Sequence, residues 1–397
     1  MRWSINKLRK ANDQLLYISS RGIAGFLAVG FSVVYSRALG VEKRSILSFI
    51  LVISLVMSIL IISPISLNYR KRNLNHDSSK ELHIAYVLLS SFLSAFTTLI
   101  VIFIVWAYNK QVVPIPRNLY IAIGIYSLFS TLAFSLQDVL VATHKIRTSA
   151  VFDVLTVILQ FLTYVLLYDF NKTSLVVTVL LALSIPYLIT SFAIYTLVFN
   201  LYPWPQTSVI KSIFSGMQKS ALVTLSIAFL DRYDKLVIAF LLPLPFLGKY
   251  AVISGFVALV RFLPESIARS LFFPQRIKSH ISQQRSTYIM VFFGVLAAPF
   301  LTQELIKLLL GERWLVSTVF IFSIYLQEVF RGYFQVLLNK VIIAGFDRVA
   351  SVASLGTVTA GILLVPLSVM HLNVYGPPVV MALAYGTASL WIRSHYE

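Results

Sequence analysis

Apolar runs of about twenty residues follow one another from one end of this chain to the other, and that feature closes off most folds. A helix of that length crosses the roughly 30 Å hydrocarbon core of a bilayer. Inside lipid each backbone N–H and C=O needs a partner within the protein, so only helices and closed barrels can span. The alternating segments of about ten residues that mark an outer-membrane barrel are absent. Composition agrees: 12% of residues are charged, against about 25% in soluble chains, and the mean hydropathy is +0.83. The chain is read as an all-α polytopic membrane protein.

Twelve spans are expected. The first six are Leu15–Ala38, Ile46–Leu67, Ile84–Tyr108, Asn118–Ala142, Val151–Phe170 and Leu175–Asn200. The second six are Ser220–Leu242, Gly248–Phe273, Thr287–Leu310, Trp314–Leu338, Arg348–Met370 and Val374–Ile392. The basic start Arg2, Lys7, Arg9 and Lys10 resembles a signal peptide. The run after it is too long and carries Arg21, so it stays as span 1, behind a short interfacial helix at Trp3–Lys10. Between the sixes, Pro203 and Pro205 stop one helix, and Ile210, Ile213, Phe214 and Met217 form one apolar stripe. That stripe predicts an amphipathic helix lying in the interface. The division is therefore 1–200, a six-helix lobe; 201–219, an interfacial linker; and 220–397, a second six-helix lobe in parallel repeat with the first. Leu136-Gln-Asp138 in span 4 is echoed by Leu326-Gln-Glu328 in span 10.

The net charge of +18 is spread over short loops rather than gathered in a nucleic-acid-binding domain. With both termini inside, eighteen Lys and Arg fall on inside segments. Eight fall outside: Lys43, Arg44, Lys110, Arg117, Lys172, Lys249, Lys307 and Arg313. That bias supports cytoplasmic termini and this number of spans.

Spans 7 and 8 break the apolar rule. Asp231, Arg232, Asp234 and Lys235 interrupt span 7; Arg261, Glu265 and Arg269 lie at i, i+4 and i+8 on span 8. At about 2.5–3.5 kcal/mol per buried charge, seven charges facing lipid would cost roughly 20 kcal/mol, more than a domain's net stability. They must face one another, water or a polar ligand. Asp231 and Lys235 are an i, i+4 pair, and Pro264 predicts a kink in span 8. For span 7 the bland reading is a later start that leaves the cluster at a headgroup interface, and for span 8 it is an ion-pair ladder holding the two helices together; the functional reading of both is a lined polar cavity. Arg21 shares a face of span 1 with Gly25, Ala28 and Ser32, and either meets an anion or snorkels to the surface. Glu328, Arg331 and Gln335 form a stripe on span 10 that reads as self-paired. Asp138 and Asp153 are expected to partner Lys145 and Arg147.

Signs of bond-making chemistry are missing. The six histidines lack metal spacing, and no Walker A or Gly-x-Ser-x-Gly sequence occurs. No catalytic residue, metal ligand or cofactor site is assigned. The reading is of a protein that moves a substrate.

Three local patterns resemble the polysaccharide (O-antigen unit) flippases of the Wzx type, within the multidrug, oligosaccharidyl-lipid and polysaccharide exporter superfamily. They are Tyr35-Ser-Arg-Ala-Leu-Gly-Val-Glu-Lys-Arg44; Leu230-Asp-Arg-Tyr-Asp-Lys-Leu-Val-Ile-Ala239 with Leu247-Gly-Lys-Tyr-Ala-Val252; and Phe262-Leu-Pro-Glu-Ser266 with Leu271-Phe-Phe-Pro274. Ser45 departs from the pattern, where the family usually has glycine. The resemblance implies a two-lobed, MATE-like bundle working by alternating access in the bacterial inner membrane. Its substrate would be an undecaprenyl-diphosphate-linked oligosaccharide, carried to the outer leaflet for surface polysaccharide. Arg21, Arg232, Lys235, Arg261 and Arg269 fit the role of meeting the diphosphate. Asp231, Asp234 and Glu265 fit ion coupling, or pairing with those cations when the substrate is absent. The implied partners are the lipid-linked glycan, membrane lipids, and the polysaccharide polymerase with its chain-length machinery, around a monomer. Two alternatives stay open: a multidrug cation antiporter of the same architecture, and a membrane enzyme such as an O-antigen polymerase or lipid-sugar transferase. The antiporter would want a net acidic cavity, and the enzyme a sizeable external loop.

Overall fold

A computed structural model describes residues 2–74, 81–109, 116–143, 146–170, 174–200, 203–270 and 298–396. For 2–15, 17–18, 216–231, 260–270 and single positions at helix ends, the backbone alone is described. Helix dominates, and no strand occurs among the described residues.

The first element, α1 (Arg2–Leu74), is two helical arms meeting at Gly40, whose φ of 69° and ψ of 175° suit glycine alone. There follow α2 (Glu81–Asn109), α3 (Arg117–Ala142), α4 (Ile146–Phe170) and α5 (Leu175–Phe199). Then come α6 (Thr207–Leu241), α7 (Leu244–Ser270) and α8 (298–310). Last are α9 (Thr318–Ile343), α10 (Asp347–Leu372) and α11 (Gly376–Tyr396). Among the described residues, the two arms of α1 and the ten helices after it give twelve rods, the number the hydropathy predicts. Two apolar stretches, Ser19–Arg70 and Arg348–Tyr396, are 52 and 49 residues long, each enough for a pair of spans.

Two boundaries differ from the sequence reading. The separate interfacial helix at Trp3–Lys10 is instead continuous with span 1 from Arg2. The expected linker helix and span 7 are one helix, α6, with no break at Ser220. Its backbone is helical through a stretch where nothing in the sequence forces a turn. The α7 backbone likewise stays helical through Pro264.

The chain forms two compact units. One comprises Leu47–Phe229, the other Met1–Ile46 together with Leu230–Glu397. In the first, Ser54 Oγ meets Ser127 Oγ at 2.8 Å, Ser58 meets Thr131, and Ser66 donates to Asp138. Both partners' numbers climb together, so the second arm of α1 and α3 run parallel, as spans 2 and 4 must. Thr156 and Thr190 meet at 2.9 Å, while Gln160 Nε2 reaches Leu183 O at 3.5 Å. Numbers here move oppositely, so α4 and α5 are antiparallel. Lipid offers no hydrophobic push between helices, and small hydroxyl residues allow both close approach and hydrogen bonds worth about 0.6 kcal/mol each.

One end of this unit is closed by a core of Tyr69, Leu82, Tyr86, Leu136, Leu140, Ile194 and Ile213. Asp138 is held there by both of its oxygens on Arg70, at 2.8 and 2.9 Å, with Ser66 and, at 3.4 Å, Tyr86 OH. Arg70 is a partner the sequence does not point to, brought there because parallel packing sets the end of α1 beside the end of α3; Lys145 lies outside the described residues. The rings of Tyr69 and Tyr86 stack at 4.2 Å over this pair.

The other unit packs α9 and α10 on α11, and α7 on α9. The first turn of α7 lies so close to the start of α1's second arm that a Cβ on Gly248 would sit 2.8 Å from Val41 O and overlap Ser45 Oγ. Ser45 itself bonds back to Val41 O at 2.7 Å. Glycine at 248 therefore makes room for the serine that departs from the flippase pattern.

Candidate functional site

Membrane helices tolerate charge only where it is enclosed, and beyond Asp138 the enclosed charges include a group where the end of α6 meets α7 and α9. Asp234 and Lys235, near the end of α6, are 2% and 6% exposed. From α7, Tyr250 OH donates to Asp234 Oδ2, and from α9, Gln327 Nε2 donates to the same oxygen at 3.2 Å. Tyr250 OH also lies 3.4 Å from Gln327 Oε1. A phenol has one proton, so with Asp234 ionised the short contact takes it and the longer one is a competing acceptor. Lys235 Nζ stands 5.9 Å from the centre of the Tyr250 ring, a cation–π distance. One residue beyond Gln327, Glu328 accepts from Arg331 Nη1 at 3.2 and 3.3 Å, the self-pairing read from the sequence. Both are buried.

Asp234 Oδ1 is buried and accepts no hydrogen bond from any described residue. A carboxylate with one oxygen filled twice and the other empty is an acceptor for a proton or a small cation. Among the described residues, the groups around it are cations, carboxylates and neutral hydrogen-bonding side chains.

The sequence-read residues fare differently. Asp234 and Lys235 come together with partners from two other helices. Arg232 and Arg21 belong to the same unit and are half-buried, Arg21 on a stripe with Gly25, Ala28, Ser32 and Tyr35 turned inward while Ile23, Phe26 and Val34 face out. The side chains of Asp231, Arg261, Glu265 and Arg269 lie outside the described residues, as does the expected Asp231–Lys235 pair.

Three participants were missed. Tyr250 lies in the turn pattern quoted for the family resemblance, yet nothing local marks its OH as a carboxylate donor. Gln327 was noticed only as part of the Leu-Gln-Glu echo. Arg44 was assigned to an outside loop beside Lys43; Lys43 is exposed, but Arg44 is 4% exposed. Its Cζ lies 4.9 Å from the centre of the Tyr35 ring and its Nη2 3.4 Å from Ser32 Oγ. Only the reversal at Gly40 can bring residues 32 and 44 together; on a straight helix they would be about 18 Å apart.

No family model matches the sequence, and no curated protein does. Solved structures do match. The chain is similar to a mutant of the Vibrio cholerae MATE transporter VcmN, with 12% identity and a TM-score of 0.66 over 97% of this chain and 96% of that one. It is also similar to an outward-facing multidrug resistance MATE family transporter of the MOP superfamily, at 13% identity, TM-score 0.64, over 96% and 95%. A third likeness is to the lipid II flippase MurJ in an inward closed conformation, at 11% identity, TM-score 0.68, over 96% and 87%. The fold is MATE-like. At such identities the likeness establishes architecture, that of a polytopic membrane protein with about twelve membrane helices; the residues above carry the rest.

Proposed function

We propose that this protein is a flippase that moves an undecaprenyl-diphosphate-linked oligosaccharide from the cytoplasmic to the outer leaflet of a bacterial inner membrane by alternating access. The observation that carries the reading is the likeness to the lipid II flippase MurJ over 96% of the chain, joined to buried cationic side chains in a unit otherwise built of apolar helices. A diphosphate cannot enter hydrocarbon unaided; cations and hydroxyls must replace its hydration. Lys235, Arg232 and Arg21, with Arg261 and Arg269 on α7, supply that charge. Asp234 is the acid whose occupation by a proton or small cation couples to transport, with Asp231 and Glu265 as further acids. The alternating bodies include the six-helix halves 1–200 and 220–397, joined by 201–219.

A second reading, export of organic cations, is favoured by the empty Oδ1 of Asp234 and by the MATE likenesses. Reconstitution separates the two. In proteoliposomes loaded with a lipid-diphosphate oligosaccharide, the protein exposes the glycan to an external lectin, and alanine at Arg21 or Lys235 lowers the rate at least tenfold while folding persists. Cells lacking the protein retain the lipid-linked glycan on the inner leaflet and lose surface polysaccharide. Ethidium extrusion with no glycan exposure would establish the antiporter instead.

A further inference from the structure

The first turns of α6 bury only part of their apolar stripe against protein, and Phe214 of that stripe stays outward. Ile213 is fully buried against the ends of the neighbouring helices, with Val209 and Ile210 packed on the same core. The segment is pinned by side chains of α1: Asn68 Nδ2 donates to Ile213 O at 2.8 Å, and Arg72 Nη1 to Ser212 Oγ at 2.5 Å. A carboxylate, Glu81, borders the platform, and its Oε2 accepts from Gln206 N at 3.2 Å. What remains outward is aromatic and basic. Lys211 and Phe214 are neighbours at i and i+3, both exposed, Phe214 by 53%. Just before the helix, Trp204 is 68% exposed.

Two observations set the depth of this face. A column of rings, Tyr195, Phe199 and Trp204, with centroids 5.2 and 6.1 Å apart, descends the last turns of α5 and ends on Trp204 past the helix terminus. And α6, with 35 residues, is about 52 Å long, against a hydrocarbon core of roughly 30 Å. A helix that long extends beyond the core, and the aromatic column beside its start marks the first turns as the part at headgroup level. An indole and a phenyl ring beside a cation at that depth match an anionic lipid: the rings sit among the carbonyls and the cation meets the phosphate.

We propose that Trp204, Phe214 and Lys211 form an anionic-phospholipid headgroup site on the outer face of α6's first turns, which seats this unit in its leaflet. The proposal is independent of what the protein transports. Because the chain lacks cysteine and has five tryptophans, fluorescence tests it directly. Trp3, Trp106, Trp314 and Trp391 are replaced by Phe in the full chain, leaving Trp204. The protein is then placed in nanodiscs containing equal phosphatidylglycerol and phosphatidylcholine, with one or the other carrying brominated acyl chains.

Brominated phosphatidylglycerol is expected to quench Trp204 more strongly, corresponding to about fivefold local enrichment at the scale of one basic residue near an anionic surface. Lys211→Glu, or high salt, removes the difference. A second variant keeping Trp106 alone shows no preference. Equal quenching by the two lipids, no quenching by either, or the same preference at Trp106 overturns the proposal. If the four-Phe background fails to fold, native mass spectrometry of wild type and Lys211→Gln from mixed nanodiscs decides: fewer bound phosphatidylglycerol molecules in the variant supports the site, and an equal number refutes it.

Discussion

Asp138 and Asp234 show what a single acid requires at membrane depth. Asp138 accepts from Arg70, Ser66 and Tyr86, so both its oxygens are filled and its charge is balanced. It belongs to the scaffold. Asp234 has hydrogen bonds on one oxygen only, from Tyr250 and Gln327, and is the acid with capacity to spare. The contrast predicts different outcomes on mutation. Arg70→Ala strands the Asp138 charge and is expected to cost about 3–5 kcal/mol, the penalty for breaking a buried pair from one side. The measurement is a thermal or denaturant unfolding midpoint in detergent, and Arg70→Ala combined with Asp138→Leu should recover most of it. Asp234→Asn keeps a side chain of the same shape and should leave that midpoint nearly unchanged while transport falls at least tenfold. A large drop in stability for Asp234→Asn would move Asp234 into the scaffold as well.

Among the elements, α1 depends most on one position. Its arms reverse at Gly40, and that reversal lets Arg44 lie over Tyr35 and reach Ser32. A side chain at φ 69°, ψ 175° is strained by about 1–3 kcal/mol. Gly40→Val should therefore lower the unfolding midpoint. Arg44→Ala in the same background should cost less than it does alone, because strain at the reversal already weakens the contact it removes; additive losses would show that the two are independent. Gly248 is demanding for a different reason. Its backbone is unremarkable, but the chain of Val41–Ser45 occupies the place of a side chain.

At the scale of the whole molecule, the parallel pair of α1's second arm with α3 and the antiparallel pair α4 and α5 are what an alternating path across the bilayer requires. Orientation is open to a direct test, since every introduced cysteine is the only one. Lys43→Cys, beside the reversal in α1, should react with a membrane-impermeant maleimide added to intact cells. Lys211→Cys, on the first turns of α6, should react only after permeabilisation. Reaction of both from the same side would remove the proposed arrangement of spans.

Hydropathy determined a great deal without help. A span in lipid must satisfy its own backbone, so about twenty apolar residues in a row fix a helix whatever surrounds it. That is why the number of rods and most of their positions were legible, and why a polar stripe such as Glu328–Arg331 could be read as self-paired from i, i+3 spacing alone. Amphipathicity states that one face is apolar and is silent on whether lipid or protein covers it: of the stripe at 210–217, Ile210 and Ile213 pack on the ends of α3 and α5, while Phe214 stays exposed. Partners distant in sequence were likewise invisible: Arg70 for Asp138, Tyr250 and Gln327 for Asp234, Tyr35 for Arg44. The charge at positions 234 and 235 is plain in the sequence. Which helices would supply its hydrogen bonds was decided only in three dimensions, because a buried charge takes whichever donor the packing of neighbouring helices brings within 3 Å or so.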